Sequence, residues 1–238
     1  MSNPFGATQQ RAGYVSDADA ARVSTFIRGV YWWMCIGLGV TAVVALAVAS
    51  SPAAVNTLVR TPILFYGILI AELVLVVYLS ARVTKMSPST AGILFTAYSA
   101  LNGVTFSLIL LAYTGASVAN AFFVTAGMFG ALAVYGSVTK RDLTGMGRFM
   151  FMGLIGLVLA SVVSIFWHND AMQFVMGVIG VLVFSGLIAY DTQRLRSLAL
   201  QMPGEQAGSY AVVGALSLYL NFINLFLSLL RLFGNRRN

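Results

Sequence analysis

The sequence predicts an all-α membrane protein, a bundle of seven transmembrane helices with a polar seventh, and three observations carry that reading. Hydrophobic residues make up 59% of the 238-residue chain and charged residues 9%, whereas a soluble domain carries about 25% charged residues on its water-facing surface. The apolar residues gather into seven runs, at 30–50, 63–82, 91–112, 118–138, 149–167, 171–190 and 210–232, each near the ~20 residues a helix needs to cross the hydrocarbon core. No run alternates apolar and polar residues as the strands of a membrane barrel do.

Taken in order, residues 1–29 read as a cytoplasmic tail and 30–238 as the membrane domain. The tail has neither a short basic start nor a small-residue cleavage site, so no removable signal peptide is expected. Within it, Val23, Phe26, Ile27 and Val30 recur at helical spacing, with Ser16 or Asp17 as N-cap. This is either a short amphipathic helix on the inner leaflet, anchored by Tyr31, Trp32 and Trp33, or the extended start of the first span. Charges, Pro, Gly and Ser punctuate the gaps "SSPAAVNTLVRTP", "RVTKMSPST", "TKRDLTGMGR" and "DTQRLRSLALQMPGEQAGS". Counting Lys and Arg along alternate gaps places ten on the side of the tail and four on the other, which makes the tail cytoplasmic by the positive-inside rule. Seven full spans then leave Arg231, Arg236 and Arg237 on the wrong side. Either that end is tolerated outside, or the last span re-enters and returns.

Composition also excludes. With one cysteine, Cys35, no intrachain disulfide forms. The single histidine, His168 in "FWHND", reads as an interfacial loop residue, because no second histidine supports a metal site. The net charge of +7 sits in short loops beside the spans, so it marks topology and not a nucleic-acid partner. No HExxH or GxxxxGK occurs, a serine protease would need a histidine at membrane depth, and the lysines Lys85 and Lys140 lie in loops, where no retinal could be bound. An enzyme is not expected, nor a resident cofactor.

Polar residues inside the runs carry the functional information, since an ionisable group at mid-depth costs about 2.5–3.5 kcal/mol on insertion scales. Glu72 is central in the second span, too deep to snorkel, and is either an interhelical hydrogen-bonding residue or part of an ion pathway. Arg82 lies ten residues later on the same helix, about 280° away in rotation and so on a neighbouring face. In the last run, Ser217, Asn221, Asn224, Ser228 and Arg231 follow at spacings of 4, 3, 4 and 3, one stripe that faces either other helices or a water-filled path. Tyr98, Asn102 and Thr105 make a weaker stripe in the third span. Asp191 ends the sixth run with Arg194 three residues on. It is either an exposed helix-end acid or a carboxylate turned inward against the last helix.

Four stretches, "YSALNGVTFSLI", "YGSVTKRDLTGMG", "LIAYDTQRL" and "LYLNFINLFLSLLRLFG", together resemble the Bax inhibitor family, the transmembrane Bax inhibitor motif proteins, in its bacterial form. The resemblance runs from about residue 22 to the end of the chain. It implies six helices around a central polar seventh and a pH-sensitive calcium leak pathway in the bacterial inner membrane. In that family a carboxylate on the sixth helix pairs with one on the seventh as a di-aspartyl gate, with an arginine of the second helix nearby. Asp191 matches the first aspartate, Arg82 the arginine, and Glu72 an acid of the same helix. The second aspartate is absent, because Asn221 stands where "LYLDFINLF" has Asp. Two carboxylates in contact cannot both ionise cheaply and so sense pH. An amide has no proton to exchange, so this gate is expected to respond less to pH and to offer a cation one negative charge fewer.

The expected function is therefore a calcium leak channel with Asp191, Asn221, Arg82 and Glu72 at the gate and Ser217, Asn224, Ser228 and Asn102 lining the path. Calcium would be held at Asp191 only weakly and transiently, since few hard oxygen ligands are offered. The competing expectation is a regulatory protein that binds a membrane protease through its tail and the "TKRDLTG" loop, its polar stripe then being structural.

Overall fold

The structure, a computed structural model, describes residues 17–167 and 169–237. Ser16 and His168, the candidate cap and loop residue, lie outside the described residues. Among the described residues eight α-helices follow one another: α1 (Asp17–Ala49), α2 (Pro52–Arg60), α3 (Pro62–Arg82), α4 (Pro88–Ala112), α5 (Gly115–Val138), α6 (Thr144–Phe166), α7 (Asp170–Gln201) and α8 (Ala207–Phe233). Single 3₁₀ turns occupy Val83–Lys85 and Gly204–Gln206. All but α2 are long and apolar enough to cross a membrane, which gives the seven spans the composition demands.

Two boundaries differ from the sequence reading and one open alternative is decided, each for a physical reason. The gap "SSPAAVNTLVRTP" contains a helix, α2, because Ser51 accepts a hydrogen bond from the Ala54 amide and Pro52 occupies the first turn, where its missing N–H costs nothing. A separate amphipathic helix before Val30 is not formed. Asp17–Ala49 is one unbroken helix of 33 residues, about 50 Å long. Phe26 and Val30 are buried in the bundle with Val23 and Ile27 packed beside them, so this stripe serves the core and not the lipid surface. Arg22 donates to the Met202 carbonyl and fastens the start of α1 to the end of α7. Finally, the sixth span does not stop at Asp191, since α7 continues for ten further residues to Gln201.

The last helix is the centre of the bundle. In the apolar window of α8, 72% of residues are buried, against 6% in the windows of α3 and α6. α8 packs against α1, α4, α5 and α7, while α3 leans on α4 and α6 on α7. It crosses once without re-entering. Beyond it, Thr114 donates to the Asn235 carbonyl at 3.0 Å, Arg237 to the Ala112 carbonyl at 2.9 Å, and Asn235 to the Ser117 hydroxyl at 2.9 Å. The C-terminal segment is thus tied to the α4–α5 turn, at the end of the bundle opposite the start of α1. That resolves the topological choice in favour of a basic C-terminus on the far side.

Lipid tails are as apolar as leucine, so helices in a bilayer associate by close packing, and small residues at the crossings permit it. Gly103 of α4 faces α1 so closely that a Cβ there would stand 2.8 Å from the Thr41 carbonyl oxygen. Gly136 of α5 lies against the backbone of Ala189 of α7, with no room for a side-chain atom. At the basic end, Gln193 of α7 holds the α5–α6 turn by accepting from the Leu143 amide at 2.9 Å and donating to the Arg141 carbonyl at 2.8 Å. In that water-facing turn the Thr144 hydroxyl and amide hydrogen-bond Asp142 and hold its carboxyl below the usual carboxylate range.

Candidate functional site: a buried aspartate between α7 and α8

Asp191 lies about 15 Å along α7 from its C-terminal end, with a relative exposure of 8%. Its Oδ2 accepts a hydrogen bond from the Ser217 hydroxyl at 2.5 Å and another from the Asn221 amide at 2.8 Å. Ser217 and Asn221 are four residues apart on α8 and so share a face. The inward orientation is the one the structure adopts, and Asp191 is not an exposed helix-end acid. Charge-assisted bonds of this kind are what make a carboxylate tolerable at such burial.

Asp191 borders a cavity of about 290 Å³ lined also by Ser80 of α3 and Val83 of the turn after it, by Arg194, Leu195 and Leu198 of α7, and by Tyr210, Gly214 and Ser217 of α8. The cavity extends from Asp191 towards the end of the bundle where α1 begins. Arg194, exposed, lies within electrostatic reach of the Asp191 carboxylate, so the cavity presents one negative and one positive group together. In the other direction the cavity ends. Val183, Phe184, Leu187 and Ile188 of α7 pack with Leu225 and Leu229 of α8 as a continuous apolar plug.

The upper half of the polar stripe does not reach the cavity. Asn224 donates to the Leu220 carbonyl and Ser228 to the Asn224 carbonyl, each four residues back on the same helix. Ser228 sits against Gly180 of α7, where a Cβ would collide with its hydroxyl. In this conformation that part of the stripe is a packing seam.

Of the other expected gate residues, Glu72 belongs to a separate polar cluster. It accepts from the Thr105 hydroxyl at 3.1 Å. One turn away, Asn102 donates to the Tyr98 hydroxyl at 3.1 Å, and its buried Oδ1 has no hydrogen-bond partner among the described residues. Tyr98 meets Tyr219 of α8 edge to face at 5.8 Å, and the Tyr219 hydroxyl shares a 2.6 Å hydrogen bond with Thr41 of α1. Tyr219 is two residues from both Ser217 and Asn221, about 200° around the helix from each. Hence α8 itself separates the Asp191 site from the Glu72 cluster. Arg82 is exposed at the end of α3, its guanidinium 5.9 Å from the centre of the Tyr78 ring, and the structure does not bring it into contact with Asp191.

Thr41 and Tyr219 escaped the sequence reading. A threonine or tyrosine is unremarked in an apolar run, and only their mutual contact reveals them. Tyr219 is fully buried, so Tyr219→Phe is expected to destabilise the bundle by about 1 kcal/mol, the net worth of one buried hydrogen bond. Thermal unfolding in detergent measures it. Among the described residues no three His, Cys, Asp or Glu side chains converge, so a cation at Asp191 would meet a single carboxylate with hydroxyl and amide oxygens around it.

Comparison with known proteins accords with this architecture. The chain is 48% identical over 220 residues to the inner membrane protein YbhL of Escherichia coli (strain K12), covering 91% of this chain and 94% of that one. It is 45% identical over 229 residues to a protein of Caulobacter vibrioides, with 91% of each covered. A protein of Deinococcus radiodurans is 44% identical over 218 residues, 91% of this chain and 93% of its own. Residues 23–238 match the sequence pattern of the family described as inhibitor of apoptosis-promoting Bax1. The chain belongs to that family, the Bax inhibitor-1 family of integral membrane proteins.

Proposed function

We propose that this protein is a calcium leak pathway of the bacterial inner membrane, with its cytoplasmic side at the end where α1 begins. Its gate is Asp191 with Asn221 in place of a second acid. The observation that supports the reading is a buried carboxylate that is hydrogen-bonded to α8 and also borders a cavity at the basic end of the bundle. Such a group is expensive unless it serves an ion. The apolar plug beyond it makes the described conformation a closed one. Opening requires α7 and α8 to part along the Phe184–Leu225 layer. Calcium coordination further requires Asn221 to turn its amide, so that Oδ1 replaces Nδ2 towards the ion, and Ser217 to turn its proton away. Glu72 stands on the opposite face of α8 and serves as a second, separate cation-attracting group.

Purified protein in liposomes with a trapped calcium dye tests the gate. Asp191→Asn keeps the shape of the side chain and is expected to lower influx about tenfold, a change of about 1.4 kcal/mol. Unchanged influx from a folded variant would remove Asp191 from the pathway.

The length of α1, about 50 Å against a hydrocarbon core about 30 Å thick, favours one competing reading, a regulator that docks on a membrane protease through the tail preceding α1 and the "TKRDLTG" loop. Deleting residues 1–16 separates the two, because α1 and its buried Phe26 remain intact. A leak keeps its calcium influx after that deletion, whereas a regulator loses its effect on the protease.

A further inference from the structure

At the far end of the bundle, α1 packs on α4, α7 and α8, α5 packs on α7 and α8, and a cavity of about 670 Å³ is left between α1 and α5. Small residues create it, with Ala42, Ala45 and Ala49 on the α1 wall and Gly115 and Ala119 on the α5 wall. Its floor is aromatic, built from Phe106 of α4 and Phe222 and Phe226 of α8. Along α1 the lining runs from Leu38 to Ser50, about 18 Å of helix, close to the depth of one leaflet of a hydrocarbon core about 30 Å thick. Its interior asks for nothing polar, since the Thr41 hydroxyl at its base already contacts Gly37, Ser99 and Tyr219.

The mouth is different. Arg237 lines it, held there by the backbone bond from its amide to Ala112. Arg236 is bridged to Tyr113 on the same turn, and Arg231 lies within electrostatic reach of Arg236. Three guanidinium groups therefore crowd the end of the bundle that the positive-inside rule leaves poor in cations. Among the described side chains one carboxylate outside the bilayer core, Asp170, shares that end. Such a cluster is offset by an anion, and the anion native to this depth is a lipid phosphate.

We propose that the crevice between α1 and α5 is a phospholipid site, taking one acyl chain of an anionic lipid whose headgroup phosphate sits on Arg237. It is an accessory site, independent of the gate at Asp191, and its occupant bridges α1, α5 and the C-terminal segment.

The test is native mass spectrometry of the full-length protein in detergent, titrated with phosphatidylglycerol or with phosphatidylcholine of the same chains. The wild type is expected to retain one phosphatidylglycerol with roughly tenfold preference over phosphatidylcholine, what one charge-assisted hydrogen bond supplies. Arg237→Gln should abolish the preference while leaving chain binding. Ala42→Trp and Ala119→Trp, both at exposed wall positions, should fill the crevice and lose the retained lipid; a thermal unfolding midpoint like that of the wild type shows that either variant is folded. Equal retention of the two lipids by the wild type overturns the proposal. So does a preference that survives Arg237→Gln, or a retained lipid that survives both tryptophan variants.

Discussion

On the proposed leak reading, Asn221→Asp is expected to give a calcium influx that rises steeply between pH 6 and pH 8 where that of the wild type is nearly flat. The substitution puts a second carboxylate where the Asn221 amide now lies 2.8 Å from Asp191 Oδ2. Two carboxylates at that distance cannot both carry charge cheaply, so the pair shares a proton and titrates as a unit. The sign follows from the two states. With the shared proton in place, at the acidic end of the range, the pair is held together by a hydrogen bond and α7 stays closed on α8. With the proton lost, at the alkaline end, the carboxylates repel one another, push the helices apart and offer calcium two charges in place of one. Dye-loaded liposomes at pH 6 and pH 8 measure the ratio of influx rates, expected near one for the wild type and about tenfold for the variant if the repulsion is worth about 1.4 kcal/mol. Equal slopes for the two proteins would show that residue 221 does not set the pH response. The Ser217 hydroxyl, which also donates to Asp191, remains in both, so the comparison isolates the amide.

Gly136→Val is expected to prevent assembly of the bundle. A Cβ at this position overlaps the Ala189 carbonyl group of α7, and its distance to the Ala189 Cα would be 3.1 Å. The obstacle is backbone, which cannot rotate out of the way as a side chain can. Overpacking costs about 1–3 kcal/mol when side chains yield, and more when they cannot, against a total stability of about 5–15 kcal/mol. Moving α5 away from α7 would also loosen α7 two residues from Asp191 and its hydrogen bond with Asn221 of α8. The control lies on the same helix. Gly127 has nothing within 4 Å of its would-be Cβ, so Gly127→Val is expected to change stability by no more than about 0.5 kcal/mol, as at other open positions. The yield of monodisperse protein and the thermal midpoint in detergent decide both cases.

Much of the architecture is legible in the chain because a bilayer imposes a simple rule. Any crossing segment satisfies its own backbone hydrogen bonds, so an apolar run of the right length is a helix. That rule finds every span, and the stripe of Ser217, Asn221, Asn224 and Ser228 identifies α8 as the helix with polar business inside the bundle. It misplaces limits where chemistry other than apolarity governs. Asp191 looked like the end of a span because an acid interrupts the apolar run. With Ser217 and Asn221 donating to it, the carboxylate is accommodated and α7 runs on. The helix α2 was passed over for the opposite reason, being too polar for a span and too short to show a strong period, although Ser51 and Pro52 announce its start.

What the sequence by itself determined is the class, the number of crossings and the family, since these follow from composition, run length and local motif. The pairing of Asp191 with position 221 was implied only by the family resemblance, and the residues alone left Asp191 open. Only the tertiary structure decided which polar residues act together. Glu72 and Asp191 are both acids within apolar stretches, yet they lie on opposite faces of α8, joined respectively to Thr105 and to Ser217. Nothing in one dimension specifies the rotation of α3 about its axis or the side of α8 against which it rests, because those are set by how side chains and glycines interlock across helices. The same holds for the C-terminal arginines. Their charge is plain in the chain, but their place at the mouth of an apolar crevice depends on Arg237 reaching the Ala112 carbonyl, a contact between residues more than a hundred positions apart.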